Sequence, residues 1–228
     1  MSALRYRYQT VEFEEFDVHY RCLKDLQQYE DSIGEAEDIG ISSANWSLFG
    51  VVWPSGSLMA KIMSRYDIRD RRILEVGCGI GLASLVLNER LADITATDRH
   101  PCASDFLQFN TQLNNRKHIP FFRTSWEDDV DSSQGRFDLI LGSDLLYEEE
   151  HAKQLALFIQ KLATPRCELI MVDAGRQGYA NKFSYKMKEL GFQHELLLAE
   201  DESLQIEGFN GRIHRYSRNM PLSANKFN

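Results

Sequence analysis

From Arg72 to Leu190 the chain repeats one pattern, a short apolar run of strand character followed by a stretch whose apolar residues recur three and four apart. The strand-like runs fall at 73 to 77, 93 to 97, 119 to 123, 137 to 142 and 168 to 173. Helical faces read as Phe106, Phe109 and Leu113, then Ala152, Leu155, Ile159 and Leu162, then Tyr179, Phe183, Met187 and Leu190. Five βα units of this kind predict a parallel sheet with helices on both faces. After Gly191 the rhythm changes: Phe192 to Leu198 and Gln205 to Tyr216 are β-like and have no helix between them, so they are expected to pair antiparallel. The predicted fold class is α/β, a doubly wound seven-stranded sheet, mostly parallel, ending in an antiparallel strand pair.

Ahead of this core, Val11 and Phe13, then Phe16, Val18, Tyr20 and Cys22, alternate around Glu14-Glu15 as an N-terminal β-hairpin would. Lys24 to Asp31 reads as a short helix, and Ser32 to Ala44, rich in Gly, Ser and acids, as a loop. Trp53-Pro54 opens a helix with apolar face Leu58, Met59, Ile62, Met63 and Tyr66, proline being tolerated at a helix start because its missing N–H would be unpaired there. The expected division is an extension over 1–50 packed on the core, a domain over 51–218, and a frayed tail over 219–228.

Within the first βα unit, Ile73-Leu74-Glu75-Val76-Gly77-Cys78-Gly79-Ile80-Gly81 is a strand breaking into a glycine turn, where bare main chain leaves room for a ligand. A nicotinamide fingerprint has G-x-G-x-x-G/A spacing, whereas Gly77, Gly79 and Gly81 stand at G-x-G-x-G, and spacing alone decides little. Glu75 just before the turn would repel a pyrophosphate and attract the ammonium of a cofactor carrying an amino acid. Asp98 closes the next strand at the separation, about 20 residues, from which an acid accepts ribose hydroxyls. Trp126 after the third strand is suited to an adenine face. Each has a plainer alternative: Glu75 a surface acid, Asp98 a helix cap, Trp126 a core residue, and Cys78 merely a small residue that fits.

The glycine turn with Glu75 and Asp98 resembles the S-adenosylmethionine site of class I methyltransferases, whose seven-stranded arrangement also matches the strand order expected above. The fourth strand ends Gly142-Ser143-Asp144-Leu145-Leu146-Tyr147, with no proline in the turn, unlike the Asn-Pro-Pro-Tyr of many amino methyltransferases. Asp144-Leu145-Leu146-Tyr147 resembles the D-x-x-Y signature of the seven-β-strand protein lysine methyltransferases, the family of the calmodulin-lysine and valosin-containing-protein-lysine enzymes. Val52-Trp53-Pro54-Ser55-Gly56, Asn110, Asn114 and Ser125-Trp126 match in kind, so the resemblance covers most of the chain. It implies cofactor contacts at Trp53, Glu75, Gly77, Cys78, Gly79, Asp98, Trp126 and Ser143, and an acceptor pocket shaped by the catalytic pair Asp144 and Tyr147. The acidic segment from Glu30 to Asp38 and Cys78 within the turn depart from the family pattern.

Methyl transfer needs an uncharged amine aligned with the methyl carbon, since an ammonium cannot attack. Asp144 is expected to accept a hydrogen bond from the amine and Tyr147 to wall the channel and favour the cationic product. No histidine is clearly placed as a base in the sequence, which leaves the proton to water. The acids from Glu127 to Glu150, opposed only by Arg136, suit a lysine-bearing protein at the rim, or are simply a solvated face. Net charge of -8 speaks against a broad nucleic-acid surface. Dispersed cysteines and histidines suggest no metal, no apolar run approaches the ~18 residues of a membrane span, and the first residues carry no apolar signal core. The expectation is a cytoplasmic N-methyltransferase acting on protein lysine, with a monomer favoured and its oligomeric state left open by the sequence; a small-molecule amine N-methyltransferase and a catalytically idle cofactor- or partner-binding module are the alternatives.

Overall fold

The computed structural model describes residues 5–26, 30–31, 33–175, 178–197 and 204–219. The first element is a hairpin of β1 (Tyr6–Glu12) and β2 (Asp17–Leu23), paired antiparallel as the alternation predicts. α1 (Glu35–Asp38) and α2 (Pro54–Arg65) precede the sheet. The core then runs β3 (Arg72–Val76), α3 (Leu82–Glu89), β4 (Asp93–Asp98), α4 (Ala103–Leu113), β5 (Phe121–Arg123), β6 (Phe137–Ser143), α5 (His151–Leu162), β7 (Ala163–Asp173), α6 (Tyr179–Glu189), β8 (Gln193–Leu197) and β9 (Arg212–Arg218). The sheet has seven strands in the order β5-β4-β3-β6-β7-β9-β8. β5 through β7 are parallel, while β9 pairs antiparallel with both β7 and β8.

Strand alternation sorts the core onto the two faces. Ile73, Leu139 and Leu141 pack with α2, α3 and α4, whereas Leu74 and Ile140 pack with α5 and α6, joined by Phe137 beyond a shift of register between Phe137 and Leu139. Because both faces are covered, β3 and β6 carry apolar residues on both sides, Ile73, Leu74 and Val76 in β3 and Phe137, Leu139, Ile140 and Leu141 in β6, as buried parallel strands do. Each fully buried Leu or Phe contributes about 2–3 kcal/mol. The α5 face read from the sequence, Ala152, Leu155, Ile159 and Leu162, is wholly buried.

Several boundaries differ from expectation. Among the described residues no α-helix joins β5 to β6; the connection contains only a 3₁₀ turn at Ser132–Gln134. Acids there bind nearby main chain, Asp128 accepting from the Ser125 N–H at 2.6 Å and Asp131 from the Ser133 N–H at 2.8 Å, which competes with helix formation. The second C-terminal strand starts at Arg212, not at 205, and the third core strand starts at Phe121, not at 119. β7 begins earlier than 168, directly after α5, and absorbs Pro165 where its pairing with β6 shifts register between Phe137 and Leu139. The stretch read as a loop contains α1, because the Asp31 carboxylate takes the Ala36 and Glu37 N–H groups, both at 2.8 Å. The helix expected over 24–31 falls partly on 27–29, and the expected tail almost wholly on 220–228, both outside the described residues.

The hairpin is fastened to the core by side-chain amides. Asn110 on α4 and Asn114, the residue that caps its C-terminus, lie one turn apart and act as a borrowed strand edge for β2. Asn110 Oδ1 accepts the Arg21 N–H at 2.8 Å, Asn114 Oδ1 accepts the His19 N–H at 2.8 Å, and both amides donate back to the same residues' carbonyls. Asn110 also donates to the Ile80 carbonyl at 3.3 Å, tying hairpin and glycine turn together. The Arg21 guanidinium stacks 3.5 Å from the Phe109 ring centre.

Candidate active site

In an open α/β sheet, ligands sit beyond the carboxyl ends of the strands where strand order reverses. Here the chain steps outward from β3 through β4 to β5 and returns to β6 on the other side of β3, so the ends of β3, β4 and β6 meet. A cavity of about 700 Å³ opens there. Trp53, Glu75, Gly77, Cys78, Gly79, Asp98, Trp126, Ser143, Asp144 and Tyr147 all line it, so every site residue expected from the sequence is brought to one place.

The glycine turn forms the floor. Gly77, Gly79 and Gly81 all have positive φ, and a Cβ on Gly79 would stand 2.8 Å from the main-chain oxygen of Phe49. The turn is pinned by the Cys78 N–H to the Thr97 carbonyl at 3.0 Å and the Gly79 N–H to Asp98 Oδ2 at 2.8 Å. Asp98 Oδ1 accepts the His100 N–H at 2.8 Å. Asp98 therefore braces the turn, with a second lone pair on each oxygen for another donor, and does not cap α4.

Glu75 is no surface acid: it is 5% exposed at the end of β3. Its Oε2 takes both the N–H and the hydroxyl of Ser84, which leaves Oε1 for the cavity. Burial raises its pKa to about 7, against the opposing pull of the Ser84 bonds. A half-neutralised buried carboxyl facing a cavity suits a ligand that brings a positive charge.

Across the floor, Asp144 follows β6 with φ 56, in the left-handed region, and its N–H is held by the Val172 carbonyl at 2.9 Å. That turn buries Leu145 and Leu146 and brings Tyr147 back to the cavity. Burial raises the Tyr147 pKa, so the phenol stays neutral. Trp126 packs partly into the α5-side core while lining the cavity, so its two readings are compatible. Trp53 precedes α2 and donates from Nε1 to the Leu48 carbonyl at 3.1 Å.

Sequence reasoning missed the wall built from Gly40 to Val52 and two histidines. His100 is 3% exposed, stacks on Phe49 at 3.7 Å, and accepts the Cys102 N–H at Nδ1; burial lowers its pKa to about 4. His151, in the first turn of α5, touches both Tyr147 and Trp126 edge to face. A signal existed for His151, since the first helical turn after a β-strand's carboxyl end faces the ligand side of such sheets. Of the acids between 127 and 150, Glu127, Asp144 and Glu148 line the cavity, whereas Asp128, Asp131 and Asp138 are engaged with nearby groups.

The arrangement fits a ligand with an amino-acid cation and a nucleoside: a glycine cradle that a Cβ would fill, a buried carboxyl with one oxygen facing the cavity, an aspartate at the second strand end and an indole wall. Among the described residues no cluster of metal-binding side chains occurs.

The chain matches the model of a lysine methyltransferase family over residues 36–190. It is 32% identical over 132 residues to the protein N-lysine methyltransferase METTL21A of Danio rerio, covering 54% of this chain and 60% of that protein. It is 25% identical over 195 residues to the calmodulin-lysine N-methyltransferase of Arabidopsis thaliana, covering 79% of this chain and 64% of that one. The matched stretches thus span somewhat under two thirds of these relatives. Among solved structures, magnesium protoporphyrin IX methyltransferase from Synechocystis PCC 6803 with bound SAM superposes with a TM-score of 0.55 at 17% identity, covering 83% of this chain and 85% of that one, a likeness of fold.

Proposed function

The chain belongs to the lysine methyltransferase family, and on that premise we propose that it transfers methyl from S-adenosylmethionine to a lysine side chain of a protein. The observation that carries this reading is the convergence of two turns on one cavity, the Glu75 to Gly81 turn and the Asp144 to Tyr147 turn. When bound, the cofactor supplies an electrophilic methyl on a sulfonium sulfur. Glu75 would hold its ammonium, the bare main chain of Gly77 to Gly79 its body, Asp98 its ribose, and Trp126 its adenine, with Trp53, Cys78 and Ser143 completing the wall. Asp144 orients the incoming amine, Tyr147 excludes water from it, and Glu127 and Glu148 draw a cationic side chain to the mouth. Among the described residues the cysteines form no disulfide, which suits a reducing compartment such as the cytoplasm.

The test is to incubate the protein with methyl-labelled S-adenosylmethionine and either the protein or the small-molecule fraction of an extract. Label on lysine residues of a protein is the expected result, mapped by mass spectrometry. Label confined to the small-molecule fraction would sink the reading.

A pH effect follows from Glu75. Because its pKa in the folded protein is raised to about 7, the carboxyl is mostly protonated below that pH. A bound ammonium favours the carboxylate, so binding releases a proton. Cofactor affinity should fall about tenfold for each pH unit below 7, and Glu75→Gln should flatten that slope. Calorimetry between pH 5 and 8 checks both, and a level affinity in the parent protein would refute the role.

A further inference from the structure

The proposed reaction requires a deprotonated amine, yet a lysine arrives as an ammonium. Its proton needs a destination at the cavity where the amine is to react. Four observations bear on where it goes.

His151 lines the cavity and is 5% exposed. Its Nδ1 lies 3.1 Å from the Leu145 carbonyl, which can only accept, so Nδ1 carries the hydrogen and Nε2 is left with a bare lone pair. The Leu145 carbonyl belongs to the turn that carries Asp144 and Tyr147, so the imidazole is oriented by the acceptor turn itself. Its ring stands perpendicular to Tyr147 at 4.5 Å and to Trp126 at 5.0 Å, which leaves it little freedom to rotate. Finally, Nε2 faces Glu148 Oε2 at 3.5 Å. A lone pair beside a carboxylate is mildly repulsive, whereas an imidazolium N–H there is attracted. The Glu148 contact thus favours the protonated ring, against the pull of burial.

The charged and titratable groups around the ring are Glu148 from its own turn, Asp144 and Tyr147 from the end of β6, Arg99 after β4, and Glu127, which accepts from Gln154 on α5 at 2.7 Å. Burial is the largest influence and lowers the His151 pKa, Glu148 and the Leu145 bond oppose it, and Arg99 adds to it. The neutral ring therefore prevails at neutral pH, the form a base must have.

We infer that His151 is the group that takes the proton from the substrate lysine, a role that rests on the methyltransferase reading given above. An N–H bond of the ammonium breaks and its electron pair stays on nitrogen. The proton forms a new N–H bond at His151 Nε2, and from there it passes by way of the exposed Glu148 to water. The freed amine lone pair is then available for the methyl group.

The test uses the full chain, labelled S-adenosylmethionine and the methylated protein found in the extract experiment. His151→Asn retains a donor for the Leu145 carbonyl and removes the Nε2 acceptor. Transfer should fall about 100-fold at pH 7, with cofactor affinity unchanged by calorimetry. The deficit should shrink to within about fivefold at pH 10, where lysine begins to lose its proton to water unaided. A deficit that is the same at both pH values, or none, would overturn the role. Glu148→Gln, at an exposed position, gives a second readout independent of core packing. It should move the acid limb of the kcat/KM profile down by about half a unit or more, and an unmoved limb would also overturn the role. If the parent protein labels no protein at any pH, the methyltransferase-acceptor reading fails and this inference falls with it. If the parent labels and only the variant results disagree, the loss is confined to His151.

Discussion

Substituting alanine for Gly79 should weaken S-adenosylmethionine binding by about 100-fold while leaving the protein folded. Gly79 has φ +55, a conformation that costs an L-residue about 1–2 kcal/mol. The added Cβ would stand 2.8 Å from the Phe49 main-chain oxygen, and a backbone atom cannot swing aside as a side chain can. Relief must come from moving either the turn or the Leu48–Gly50 segment, and both line the cavity. About 3 kcal/mol of misfit between these terms corresponds to the stated loss. Gly178→Ala is the control: it shares a positive φ of +72 but would meet nothing within 4 Å, and it lies outside the cavity wall. Calorimetric titration of both variants is decisive. Equal cofactor affinity in the parent and the Gly79 variant would remove the glycine turn from the site.

Glu168→Ala should be the most destabilising single change outside the site. Glu168 is fully buried on β7, where Oε1 accepts from Arg215 Nε and Oε2 from the Arg71 guanidinium. Arg215 is itself 2% exposed and reaches on to Glu195. Removing the central carboxylate leaves two guanidinium groups poorly compensated in the core, which costs about 3–5 kcal/mol. For a chain of this size that is a fall in Tm of about 10 °C. The sign with pH follows from the same bonds. The two arginines hold the Glu168 pKa below its ordinary value despite burial. Its stabilisation is therefore present above the unfolded carboxyl pKa, about 4.3, and is lost as pH falls through the lower folded value. Thermal melts of parent and variant should converge at acid pH. A gap that persists there would mean that the variant fails through its cavity and not through its charge.

The elements of the fold were legible wherever the cause of structure is local. The α5 stripe and the hairpin alternation depend on residues within a turn or two, and each matched. The glycine turn and its neighbours were legible for a similar reason: the glycines and Glu75 sit within a few residues of one another, and Asp98 one βα unit away. Errors came where local chemistry competed with periodicity, as in the acid-capped connection from β5 to β6, and where a Pro165 strand was admitted by a shift of register.

The opposite side of the cavity divides differently. Asp144 and Tyr147 could be named from their place after the fourth strand and the resemblance they carry, but not the histidine between their turn and Trp126, because its position depends on where α5 starts and on which ring it meets. Likewise Phe49, His100 and Gly79 are far apart in the chain and within contact in the fold. By itself the sequence determined the strand order of the core and the residue types that each turn carries, since those follow from short-range sterics and side-chain pattern. Only the tertiary structure decided that the turns face one another across one cavity, that Asn110 joins hairpin to glycine turn, and that His151 stands against Tyr147 and Trp126 at the cavity wall. Those contacts are set by how whole elements pack, and packing brings together residues that no local periodicity relates.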